Sequence, residues 1–148
     1  MKRLFIAISS LCLFAFGCSS PKPFEIKDVC SQAEGTKAVL QGYLSLPKTI
    51  DTIQLRKGGA ITAVGYQLFL MTKADATGDA VKVTIWTSDK SEPNKIKPLP
   101  ANYSWNDLLV YTEKGQEVTA GKEIKVTGET VPDEKTKCSV SVTKIEVP

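Results

Sequence analysis

Four cysteines and no histidine set the chemistry open to this 148-residue chain. Without imidazole, the commonest general base and a common metal ligand are both missing, so Ser-His-Asp and Cys-His mechanisms are excluded within it. Asp75, Thr77 and Asp79 have the one-three-five spacing of a calcium loop. The pattern then fails: Gly78 comes at the fourth place instead of the sixth, and Trp86 stands where the bidentate glutamate belongs. Gly58-Gly59 has no phosphate-loop context and reads as flexible loop. No acidic pair sits in a setting recognisable for glycosidase work. The residues therefore point to no catalytic set, no metal and no cofactor, and the chain reads as a non-enzyme.

Cys18 carries the strongest signal. Met1-Lys2-Arg3 is the positive start of a secretory signal, residues 4–16 are its apolar run, and Ala15-Phe16-Gly17-Cys18 closes it with small residues beside a cysteine. This resembles a bacterial lipobox of the relaxed kind found in spirochaete and Bacteroidetes lipoproteins. The resemblance implies that Cys18 receives diacylglyceryl, that residues 1–17 are removed, and that the new amino group is acylated. It also implies a cell-envelope address, with the membrane as partner through the N-terminal lipid. Ser19 and Ser20 follow without an aspartate, which by the same resemblance favours the outer membrane. Two alternatives stay open: a plain secretory signal cut near Gly17, leaving Cys18 an ordinary thiol, and a retained membrane anchor. The short apolar run argues against the second. Residues 18–29, with Pro21 and Pro23, read as a lipidated tether, and residues 30–148 as one domain.

Cleavage changes both charge and cysteine accounting. The full chain has 19 basic and 16 acidic residues, for a formal charge of +3. Loss of Lys2 and Arg3 leaves 17 basic residues and a balance of about +1. Such neutrality lacks the electrostatic footprint of a nucleic-acid binder. Cys12 leaves with the leader and Cys18 takes the lipid, so Cys30 and Cys138 remain. Outside the cytoplasm they read as one disulfide, with two separate buried thiols as the alternative.

The elements that position these residues are strands. Leu40, Gly42, Leu44 and Leu46 alternate with Val39, Gln41, Tyr43 and Ser45. Tyr66, Leu68 and Leu70 form one face of a second run, and Val81, Val83 and Ile85 one face of a third, across a Thr77-Gly78-Asp79 turn. Residues 107–112 prefer strand over the short helix that Ser104 could cap. Gly121 precedes Ile124, Val126 and Gly128. In the last run Val140 and Val142 fall out of phase with Ile145 and Val147, which predicts a bulge or bend near Thr143-Lys144. Residues 47–62 and 88–106 read as the longest irregular stretches.

This order resembles an OB-fold over residues 36–147, carried by the Val39-Leu40-Gln41-Gly42 strand, the hairpin, the Gly121-to-Gly128 strand and the stagger of Val140, Val142 and Ile145. The fold expected is all-β, a small five- to six-stranded OB-like barrel. Another small β-sandwich is the alternative. The resemblance implies a binding face on the second and third strands, comprising Gln67, Phe69, Met71, Lys82, Thr84 and Trp86. Arg56 and Lys57 would flank it on one side, Lys135 and Lys137 on the other. A Phe69–Trp86 pair beside Lys82 could stack a sugar, a base or a peptide aromatic. Alternatively, this face packs under residues 93–105. The leading expectation is a lipid-anchored, non-catalytic module that binds protein or glycan. The alternatives are a structural assembly partner in the envelope and a nucleic-acid binder.

Overall fold

Strands are the dominant regular structure of the described residues because a period of two supplies one apolar face at a time. The computed structural model describes residues 19–148; Cys18 and the leader expected over residues 1–17 lie outside them. Among the described residues the strands are β1 (Lys22–Pro23), β2 (Lys37–Ser45), β3 (Asp51–Lys57), β4 (Ala60–Met71), β5 (Ala80–Trp86), β6 (Leu109–Tyr111), β7 (Glu117–Thr119), β8 (Glu123–Asp133) and β9 (Lys137–Glu146). Single 3-10 turns occur at Val29–Ser31 and Trp105–Asp107.

Five strands close a ring in the order β2-β8-β9-β5-β4, completed by pairing of β2 with β4. All its pairings are antiparallel except β5 with β9, which is parallel. This is the expected all-β, OB-like barrel. Its interior takes the alternate residues read from sequence: Leu40, Leu68, Leu70, Val83, Ile85, Ile124, Val126, Val140 and Ile145 are all essentially inaccessible. The phase change in β9 is a bulge. Gly128 pairs with Val142 and Thr127 with Lys144, so Thr143 has no opposite residue and Ile145 turns back inward.

Both ends of the barrel are capped. At one end lie the starts of β2 and β9. There β1 pairs parallel with β2, Ile26 and Val29 enter the core, and a Cys30–Cys138 disulfide clips the segment to β9. The folded part thus begins at Lys22, ahead of the boundary expected at residue 30. Apolar Phe24, Ile26 and Val29 dock what the two prolines suggested was tether. At the other end lie the finishes of the parallel pair. There residues 87–122 cross over, burying Ile96, Leu108, Val110 and Val118. Hydrogen bonds from Ile96 N to Trp86 O and from Ile145 N to Asn94 Oδ1 fasten the crossing.

Two expectations are corrected. Residues 47–62 are not irregular: Asp51–Lys57 is a strand, joined to β4 by Gly58 and Gly59 with φ of +58° and +83°. Positive φ at both centres is the two-residue turn that keeps the strand twist, and glycine adopts it without strain. Around residue 107 both local preferences are realised in succession. Ser104 N and Oγ donate to Asp107 Oδ2 (2.6 and 2.9 Å), fixing one 3-10 turn, and β6 follows.

Candidate binding face

The register of β4 against β5 builds the expected face. Gln67 pairs with Thr84 and Phe69 with Lys82, while Gly65 stands opposite Trp86 and Met71 opposite Ala80. Gln67, Phe69, Met71 and Trp86 are half-buried. Lys82 and Thr84 are not surface groups: only 5% and 1% of each is exposed. The sequence places both on the outer side of the strand, where Thr84 is flanked by Gln67 and Ser141 and a long-range contact covers Lys82.

That contact is the β8–β9 turn. Lys82 Nζ donates to both oxygens of Asp133 (3.1 and 3.0 Å), and the two side chains are 6% and 10% exposed. Asp133 Oδ1 also accepts from Lys135 N, Thr136 N and Thr136 Oγ1, each at 2.9 Å. Burial by itself would raise the Asp133 carboxyl. The Lys82 hydrogen bond, with those from Thr136 and the turn backbone, outweighs burial and holds it below the usual carboxylate range. Two residues on from Asp133, Lys135 Nζ reaches Asp51 Oδ2 at the start of β3 (2.8 Å), lowering that carboxyl and raising its own ammonium. The first pair ties the β8–β9 turn to β5, and the second ties it to β3. Cover at Lys82 therefore comes from this turn. Residues 93–105 lie elsewhere: Leu99 N donates to Tyr66 Oη (3.2 Å) and Tyr103 Oη to Pro47 O (2.7 Å).

The remaining face is a poor aromatic platform. A Cβ on Gly65 would stand 3.2 Å from Trp86 Cε3, so the indole already lies on the β4 backbone. Thr84 Oγ1 is buried without a hydrogen-bond partner. A depression of about 580 Å³ runs between residues 97–100 and Glu117–Thr119, with no residue of the candidate face in its lining.

Arg56 and Lys57 do not join Lys82. Lys82 pairs with Phe69 and Lys57 with Ala60, which puts Lys57 nine residues farther along β4, about 30 Å away. Arg56 Nη2 donates to Gln54 Oε1 (2.8 Å) on an exposed strand. Lys137 is exposed at the β8–β9 turn, paired in register with Asp133. Asp75 is engaged within its own turn, accepting from Thr77 N and Oγ1 (3.0 and 2.6 Å). Among the described residues no cluster of three or more His, Cys, Asp or Glu could hold a metal ion.

Sequence reasoning missed the exposed apolar residues Ile53, Leu55 and Ile61, at 37%, 51% and 48% exposure. They lie on the β3–β4 arm, and the Gly58-Gly59 turn signal between two β-rich runs was there to find it. Comparison with protein-family models and with curated proteins gives no match to this chain.

Proposed function

We propose that the chain is a lipid-anchored cell-envelope protein whose OB-like barrel is a non-catalytic binding module. The observation that carries the reading is the signal ending in Gly17-Cys18, followed by a folded body that starts at Lys22. Ser19, Ser20 and Pro21 allow at most about 14 Å between the lipid-bearing residue and the barrel. An anchor that short holds the domain close to the bilayer and suits a protein acting at an envelope surface.

A protein partner is favoured over a glycan. Lys82 is neutralised by Asp133, so the Phe69–Trp86 pair has no free ammonium beside it to bind a sugar. Two of the exposed apolar groups, Ile53 and Leu55, stand instead on a strand at the edge of the sheet. That same edge favours a second reading, a structural partner in envelope assembly. Nucleic acid is opposed by the near-neutral charge after cleavage.

The test is the intact mass of the protein purified from envelopes, before and after reduction. A triacylated species beginning at Cys18 that gains two hydrogens on reduction supports the reading. An unmodified mass beginning at Cys18 contradicts the anchor. Cys18→Ser should move the protein from the membrane fraction to the soluble envelope fraction.

A further inference from the structure

β3 is the outer strand of the seven-stranded sheet, and all seven of its residues are exposed. In an antiparallel pair, alternate residues turn both backbone groups away from the partner, so β3 presents a row of unpaired donors and acceptors. The other edge, β1, is only two residues long. Proline or an inward charge commonly blocks pairing at such an edge, and the sequence Asp51-Thr52-Ile53-Gln54-Leu55-Arg56-Lys57 has no proline and keeps its charges at its ends.

We propose that β3 pairs antiparallel with β3 of a second copy, about a twofold axis at Gln54. The strand is self-complementary in that register. Asp51 stands opposite Lys57 of the second copy, Ile53 opposite Leu55, and Gln54 opposite Gln54. Directly opposed residues share a face, so two Ile–Leu pairs sit side by side, flanked at each end by an Asp–Lys pair. The small residues Gly65 and Ala63, opposite Ile53 and Leu55 on β4, leave room beside this stripe. A slip of one residue sets Ile53 against Gln54, and a slip of two sets Lys57 against Ile53 or Asp51 against Leu55. Only the centred register joins both charge pairs and both apolar pairs. Asp51 still has Oδ1 free of its bond to Lys135, which uses Oδ2.

Two seven-residue strands form a small interface, which is weak between copies free in solution. Confinement on a membrane raises the effective concentration; that advantage rests on the anchor proposed above, while the pairing itself does not.

The experiment is Gln54→Cys in the full chain, expressed in cells with an envelope and read on non-reducing gels. Opposed Cα atoms in such a pair lie within disulfide range. The expected product is a homodimer. Adding Asp51→Lys or Lys57→Asp should lower its yield about tenfold, by turning two attractive pairs into two repulsive ones. The double reversal Asp51→Lys/Lys57→Asp should restore it, and so should co-expression of the two single variants. Equal unfolding midpoints would show that the reversals leave the barrel intact. Absence of a dimer, a dimer indifferent to the single reversals, or cross-linking to a different protein overturns the proposal. Dimer formation with an unmodified Cys18 by mass would overturn the anchor alone.

Discussion

β4 runs through two different environments, and its halves behave as different materials. From Leu68 to Leu70 it is a barrel stave, with apolar side chains sealed by β2 and β5. From Ala60 to Thr62 it is one rail of an arm, exposed on both faces and paired only with β3. Both halves alternate and both are β-rich. What separates them is closure: the barrel half has a second apolar layer to face, and the arm half has none. A two-stranded ribbon gains little from burial and is held by its turn and ladder. Stability therefore belongs to the capped ring, and availability to the arm.

The largest effect expected from breaking the barrel side comes from the clip. Cys30→Ser/Cys138→Ser releases a 108-residue separation and the N-terminal cap with it. Denaturant titration should show a loss of about 4 kcal/mol. Leu68→Ala, in the sealed half of β4, should cost about 3 kcal/mol by the same measurement. Asp133→Asn leaves the Lys82 ammonium without its carboxylate in a covered site and should cost about 3 kcal/mol at neutral pH. Because the folded Asp133 carboxyl is held below its ordinary value, its contribution is present above the unfolded pKa of about 3.9. It is lost as pH falls through the lower folded value. The gap between the parent and Asp133→Asn should thus stay constant from pH 7 to about 5 and shrink below about pH 4. Smallest is the arm: Leu55→Ala should change global stability by less than about 0.5 kcal/mol. A loss at Leu55 equal to that at Leu68 would erase the distinction.

The sequence made the ring legible wherever one face of a strand is buried. Val81, Val83 and Ile85 alternate cleanly, and the slip between Val142 and Ile145 located the bulge at Thr143. Cys30 and Cys138 were legible as the pair left once Cys12 was expected to leave with a leader and Cys18 to carry a lipid. β3 was not, because no face of it is buried and Ile53 and Leu55 lack the run of apolar partners that marks a core strand. Lys82 was assigned to the right side of its strand, yet its burial depends on Asp133, 51 residues away, and local periodicity carries no trace of that. Phe24, Ile26 and Val29 were hidden by neighbouring prolines, although Pro23 sits in an edge strand where its missing N–H is tolerated.

The most direct measurement of this division is native-state amide hydrogen exchange on the protein at high dilution. The amides of Leu68, Val83 and Val140 should exchange only through global unfolding, while those of Ile53 and Leu55 should exchange at least about a thousandfold faster. Equal protection of arm and barrel would contradict it.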